Sequence, residues 1–388
     1  MLAVLPFDVL RLVIDNFTIP RNGYEFDLQD SDLGYDQVLR DTRSTLASLC
    51  LTSKILRQIA RPLLLAYFPI NAGSRRTKNQ VLQFPDIYQA LCHIRSILVP
   101  GYFDEFALSG DYLSQDEKLE IYGYSRPLMK LYSQACKNLE KLTCYSDTFP
   151  LNAFTGSNLR ILCLEGHDMG TALASLHLPS LQQLSLVSVF IPTPGLTTVQ
   201  FPSLRHFAFG GHLYKGADNT LNSFASQIDS VSLFYDEYRS LQKRVPSLAP
   251  DQVLVNFPIS YDRFAEDTKD VVHLRLETAS WKGRSRNSFW NSQLLESVAY
   301  ELEEEDGCAA LKSIYLATSI CRAAASVRGF LTVTPNDYEA VVRACEKRGI
   351  EVIFEDQAID VRAETQLSEE FMRRMTRKRI EKDARNGE

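Results

Sequence analysis

No stretch of the 388 residues comes near the roughly 20 consecutive apolar residues needed to cross a bilayer, so no membrane-spanning helix is expected. The apolar run at the N-terminus is broken by Asp8, Arg11 and Asp15, and no small-residue cleavage site follows it, which argues against a secretory leader. An excess of one charge is also missing. Lys and Arg number 42 against 48 acidic residues, and a net charge of −6 gives no general attraction to nucleic acid or to an anionic membrane. Cys-x-x-Cys pairs are absent. Cys50, Cys92, Cys136, Cys144, Cys163, Cys308, Cys321 and Cys345 are scattered, mostly among apolar neighbours, and read as buried thiols of a cytoplasmic or nuclear protein rather than as disulfides or metal ligands. Catalytic signatures are lacking as well: no phosphate loop ending in Gly-Lys-Ser/Thr, no Gly-x-Gly-x-x-Gly, no Gly-x-Ser-x-Gly and no His-Glu-x-x-His. None of the six histidines sits in a context that marks a nucleophile or carboxylate partner, so no catalytic residue, metal or cofactor is expected.

What the chain does have is 45% hydrophobic residues, enough for more than one domain with a sizeable core, and a distinctive placing of them. Pro6 suits a first helical turn, and Asp8 complements the positive end of the helix dipole. Val9, Val13 and Phe17, flanked by Leu10 and Ile14, then form one apolar stripe. A second block, Leu46 to Ala60, has Leu46, Leu49 and Cys50 on one face. Thr52 or Ser53 can cap a new start there, and Ile55, Leu56, Ile59 and Ala60 continue at helical spacing up to Pro62, where the helix is expected to stop. Short striped helices of this size cannot bury their apolar sides alone. A partner is needed, in this chain or outside it.

Leu5-Pro6 opening a helix, then Leu49-Cys50-Leu51-Thr52-Ser53-Lys54 and Arg61-Pro62-Leu63-Leu64, resembles an F-box of the fungal type over residues 1–68. The resemblance implies a helical module that docks on the Skp adaptor and, through it, on the cullin of a ubiquitin ligase, leaving the rest of the chain to hold a protein substrate. By their match to the F-box pattern, Leu5, Pro6, Val9, Leu10, Ile14, Leu49, Ser53 and Leu56 would carry the docking. The chain departs from that pattern at residues 18–44, a 27-residue insertion of net charge −3 where an F-box has a short connection.

Beyond residue 90, apolar residues recur at i, i+3 and i+5. The starts at 139, 159, 181, 204 and 228 lie 20, 22, 23 and 24 residues apart, and the next intervals widen to 43 and 40. Leu178-Pro179-Ser180-Leu181 and Phe201-Pro202-Ser203-Leu204 repeat a longer phrase 23 residues apart. Such a period builds parallel strands, each returning through a helix or turn and burying its face only against its neighbours. Return helices are expected at 126–137, 218–227 and 292–303. Another opens at Thr334-Pro335 and closes at Gly349 before a strand over 350–354. Residues 90–235 are similar to leucine-rich repeats, although His167, Val189 and His212 stand where the usual Asn or Cys ladder would be.

The fold class expected is therefore α/β: a short all-α module over 1–68, an irregular leucine-rich-repeat-like solenoid with a parallel sheet over 69–360, and a basic helix or tail over 361–388. Residues between the apolar positions should face outward on the strand surface, where repeat proteins bind partners. Arg160, Gln183, Arg205, His206, His273, Arg275 and Tyr315 are the candidate substrate contacts, and their mixed chemistry suits a protein ligand better than a phosphate backbone. Other motifs have plainer readings. Gly166-His167-Asp168-Met169-Gly170 reads as a turn, Glu301 to Asp306 as a solvated acidic helix end, and Trp281 with Trp290 as a loop folded on its own core. Residues 371–388, of local charge +4, read as a terminal helix or a nuclear import signal. Two alternatives stay open: a binding scaffold whose N-terminal helices only cap the repeats, and an α/β enzyme with a site at its strand ends.

Overall fold

The computed structural model describes Leu10 and residues 44–65, 67–69, 96–99, 138–144, 151–166, 169–187, 189–191, 195–210, 216–242, 244–258, 268–277, 292–303, 308–317, 319–324, 327–332, 338–355 and 368–386. The fold is α/β with parallel strands. It divides into two compact units, the first comprising residues 1–183, 189–192 and 198–203, the second 184–188, 193–197 and 204–388. Leu5, Pro6, Val9, Ile14, residues 18–43, the helix expected at 126–137, and Trp281 with Trp290 lie outside the described residues.

In the first unit, a helical stretch over 44–52 is followed by α1 (Lys54–Leu65). Ser53 makes the break between them, its Oγ accepting the Leu56 N–H at 3.1 Å as an N-cap, while Arg57 Nε donates to the Cys50 carbonyl at 2.8 Å. Pro62 does not stop the helix as its ring would suggest, because it falls in the last turn. The hydrogen bond it forfeits is one to Gln58, an exposed residue whose carbonyl can turn to water. Leu10, Leu46, Leu56, Ile59 and Ala60 form one buried cluster, with Leu49, Cys50, Leu63 and Leu64 packed against it. The strands β1 (Tyr67–Pro69), β2 (Ser96–Val99), β3 (Lys141–Cys144) and β4 (Ile161–Glu165) follow, paired in parallel in that order. Leu142 stands opposite Leu162 and Cys144 opposite Leu164, and all four are buried. A 3-10 turn (Leu151–Phe154) and the short α2 (Met169–Ala174) lie on the return paths.

The second unit holds β5 (Gln183–Val187) apart from its first residue, β6 (His206–Gly210), α3 (Gly216–Phe224), β7 (Ser230–Phe234), α4 (Tyr235–Gln242), β8 (Val253–Pro258), β9 (His273–Glu277) and α5 (Ser292–Glu303). These are followed by β10 (Ser313–Ala317), a hairpin of β11 (Ser319–Ala324) and β12 (Val327–Thr332), α6 (Glu339–Arg348), β13 (Glu351–Glu355) and α7 (Glu369–Asn386). Strands β6 to β10 and β13 are parallel neighbours in that order, and β11 and β12 pair antiparallel in a sheet of their own. The wide interval from 228 to 271 is filled by β8, a strand that the i, i+3, i+5 pattern passes over because its lead position is Pro250. Counted from there, the spacing returns to 22 and 21 residues. Leu233 pairs with Val255 and Val255 with Leu274, so the pattern slides by two residues between β7 and β9. An even slide keeps every side chain on its own face.

Both units repeat one backbone device at the start of a strand. The N–H groups of Arg160 and Ile161 share the Glu140 carbonyl (2.8 and 2.9 Å), those of Gln182 and Gln183 share that of Arg160 (2.8 and 3.0 Å), and those of Asp229 and Ser230 share that of Arg205 (2.7 and 3.3 Å). A glutamine ladder serves where the Asn or Cys ladder is missing. Gln227 Nε2 donates to the Leu204 carbonyl (3.2 Å), Gln252 Nε2 to that of Ile228 (3.1 Å), and Gln200 to that of Ala174. Gly195 is required where it stands: its φ is +103°, and a Cβ there would lie 2.9 Å from Thr220 Oγ1. That hydroxyl accepts the Leu196 N–H at 2.9 Å and donates to the Gly216 carbonyl.

On one face of the second unit's strands, Val231, Leu233, Val255, Leu274, Leu276, Ile314 and Leu316 are buried. Phe224 of α3 packs edge-on against Phe207 (5.7 Å), and Tyr338, beside the start of α6, lies near Phe354 (6.1 Å) on the same face. Helix α6 ends at Gly349, in the left-handed region at φ 68°, whose N–H reaches the carbonyls of Cys345 and Glu346. Helices α5 and α6 are tied by Lys347 to Glu303 (2.6 Å) and by Arg348 to the Leu302 carbonyl (2.9 Å).

Candidate functional site

Strand alternation puts His206, Ser230, Ser232, Leu254, Asn256, His273, Arg275, Ser313, Tyr315, Glu351, Ile353 and Glu355 on the opposite face of the second unit. It is mostly polar and organised in pairs. His206 Nδ1 and Ser230 Oγ are hydrogen-bonded at 2.8 Å, Asn256 Nδ2 donates to Ser232 Oγ at 2.8 Å, and His273 Nδ1 and Ser313 Oγ are hydrogen-bonded at 2.7 Å. Arg275 Nε lies 3.5 Å from Glu355 Oε2, with both side chains buried. Burial, the largest cause, lowers the pKa of His206 and of His273 to about 4, so both imidazoles are neutral at pH 7. Burial likewise raises the Tyr315 hydroxyl above its ordinary range. Two polar atoms on this face, His273 Nε2 and Asn256 Oδ1, are buried without a hydrogen-bond partner.

Helix α7 lies across this face. Ser368 caps it by accepting the Phe371 N–H at 3.0 Å, while its hydroxyl donates to Glu355 Oε1. Phe371 is fully buried, edge-on to His273 (5.3 Å) and to Tyr315 (5.8 Å), and joins Leu254, Tyr315, Ile353 and Met375 in one cluster. Arg374 donates to Glu351 at 2.7 Å and to Glu370 at 2.9 Å, and the first of these bonds holds the Glu351 carboxyl below its usual pKa. Further along, Arg379 Nη1 reaches the Gln227 carbonyl (2.7 Å) and Asp229 Oδ1 (2.9 Å), and Thr376 Oγ1 donates to Asp229 Oδ2 (3.3 Å). The Asp229 side chain is only 3% exposed. Residues 368, 371, 375 and 379, three or four apart, make one stripe.

The expected substrate contacts are therefore of two kinds. Arg160 is exposed on the first unit and holds Gln182 Oε1 through Nη2 (2.8 Å) and Nε (3.3 Å). Gln183, Arg205 and His206 are half-buried, with Arg205 Nη1 donating to the Gln227 carbonyl at 2.9 Å. The reading of His273, Arg275 and Tyr315 as outward residues needs correction: they do point away from the apolar face, but all three are buried, and Phe371 of α7 packs directly on His273 and Tyr315. What alternation could not reveal is a helix about 100 residues later in the chain. Glu355 and Ser368 belong to the same constellation and are not among the candidates, and Asp229, an outward strand residue by alternation, joins them; the basic run over 373–385 is the signal that the sequence offers for the helix that meets them.

The N-terminal candidates also divide. Leu10 and Leu56 lie in one buried cluster, and Leu49, half-buried, packs against it. Ser53 is exposed, and its hydroxyl is spent on the cap of α1. Among the described residues of this segment, the large apolar side chains left in water are Leu51, 81% exposed, and Ile55, 47% exposed, neither of them among the candidates.

Among the described residues no three His, Cys, Asp or Glu side chains gather as a metal site, and no helix is long and apolar enough to cross a membrane. Cys308 and Cys345 are buried, with their thiols raised by burial, Cys345 to about 12, and Cys308 Sγ lies 2.9 Å from Thr268 Oγ1. No family profile matches the chain, and no curated protein matches it in sequence.

Proposed function

We propose that the chain is the substrate-receptor subunit of a cullin-type ubiquitin ligase, docking on the Skp adaptor through residues 1–68 and selecting a protein substrate with its parallel-strand region. It performs no bond chemistry itself; it holds the substrate where the ligase can modify it. The observation that carries the reading is the single cluster of Leu10, Leu46, Leu56, Ile59 and Ala60. Through Leu10 it brings the first apolar block against the second, which supports reading the two as one module. Leu51 and Ile55 remain outside that cluster as apolar side chains free to meet a partner. Burying each of them would contribute roughly 1.5–3 kcal/mol before association costs.

The test is co-purification of the full chain with the Skp adaptor. Leu51→Asp with Ile55→Asp is expected to abolish adaptor capture with the thermal transition unchanged, and Leu5→Ala with Pro6→Ala to weaken it. Undiminished capture by the Leu51→Asp, Ile55→Asp chain sinks the docking hypothesis. One observation favours a binding scaffold whose helices are a cap: α1 ends at Leu65, two residues before β1 begins at Tyr67, as a terminal capping element would. On that reading the adaptor is never captured, and the wild-type chain decides between the two.

A further inference from the structure

We propose that the polar strand face of the second unit is a binding site for a basic amphipathic helix of a partner protein, and that α7 is the chain's own segment occupying it. The inference rests on reading that face as the substrate surface and names the class of substrate: a helix presenting an aromatic residue, a methionine or similar flexible apolar residue, and an arginine at i, i+4 and i+8.

Three observations support it. The contacts α7 makes are those of a ligand: Phe371, Met375 and Arg379 reach the sheet at four-residue steps, and the arginine ends on Asp229, a carboxylate almost wholly withdrawn from water. Beyond these anchors the helix is held by polar contacts, Ser368 to Glu355, Arg374 to Glu351 and Thr376 to Asp229, and residues 381–386 are all exposed. The face beneath it carries polar atoms that α7 leaves without a hydrogen bond. His273 Nε2 and Asn256 Oδ1 are buried without partners, whereas settled interiors pair nearly all such atoms. A helix carrying a hydrogen-bonding side chain beside its aromatic anchor would satisfy them, and would therefore compete with α7.

The probe is a labelled synthetic peptide with the sequence of residues 368–386, titrated by fluorescence anisotropy into the full chain and into full-chain Arg379→Glu, which opposes Asp229 with a like charge and releases α7. The Arg379→Glu chain is expected to bind at least tenfold more tightly than wild type, whose own helix blocks the face. A peptide with alanine in place of Phe371 and Met375 is expected not to bind. Equal affinity for the two chains, or equal binding of the alanine peptide, overturns the proposal. Should Arg379→Glu fail to fold, Arg379→Ala takes its place with the same criteria. Hydrogen exchange on the wild-type chain supplies a second readout: amides of 369–386 exchanging at least tenfold faster than those of β7 to β10 support a removable helix, and equal protection overturns it. Adaptor capture by the same chains depends only on the N-terminal module, so its loss would tell against the ligase reading and leave the peptide result standing.

Discussion

Replacing Glu355 by Gln removes a charge and almost nothing else. The amide keeps an oxygen to accept from Ser368, while Arg275, 2% exposed, is left without its carboxylate 3.5 Å away. At that distance the attraction is worth about 5 kcal/mol for an effective dielectric near 20. Taking both charges out of water offsets most of that gain, so the pair contributes little net stability, but breaking it from one side leaves a buried cation without its carboxylate, a cost of up to about 3–5 kcal/mol. Urea denaturation at pH 7 should show Glu355→Gln destabilised by that amount with an unchanged m-value. The double variant Arg275→Met, Glu355→Met should recover most of the loss, since neither charge then needs a partner. A Glu355→Gln chain within 1 kcal/mol of wild type would mean that water or another group compensates Arg275, and would refute this reasoning. A double variant as unstable as the single would mean that the pair itself stabilises the fold.

Stability should fall as the pH drops from about 6.5 to about 4. In that window the unfolded chain protonates its histidines while the buried His273 and the half-buried His206 stay neutral, at about 1.4 kcal/mol per pH unit for a fully buried group and less for His206. His273→Gln should flatten the dependence of the urea midpoint on pH between 5 and 7, and an unaltered slope would refute the assignment. Gly195→Ala and Gly349→Ala each put a side chain on left-handed backbone, a strain of about 1–2 kcal/mol, but only the first also drives a Cβ against Thr220 and the Gly216 carbonyl. The melting temperature should therefore drop clearly further for Gly195→Ala, and equal drops would contradict the close approach.

The parts of this fold that local chemistry decides were legible in the sequence. The helix expected at 292–303 is α5 to the residue, and Gly349 closes α6 before β13 because only a residue tolerant of positive φ ends a helix that way. Strands with a leucine at the lead position announce themselves, whereas β8, led by Pro250, does not, and its neighbours then seem separated by an oversized interval. Side-chain alternation assigned His273, Arg275 and Tyr315 to the correct face. It could not say that Phe371, 98 residues after His273, would cover them, because what lies over a sheet is decided by contacts remote in sequence. The N-terminal pattern likewise picked out the apolar residues, yet it could not separate those turned to the core, Leu10 and Leu56, from those left in water, Leu51 and Ile55.

The two-residue slide between β7 and β9 means that the strand units of this chain are not interchangeable cassettes. At about 3.3 Å per residue, a unit lifted from before the slide and grafted after it would present its side chains about 7 Å out of place, on the correct face but in the wrong row. Lengthening or shortening this array by whole units is therefore open to evolution and to engineering on either side of the β8–β9 step, and closed across it.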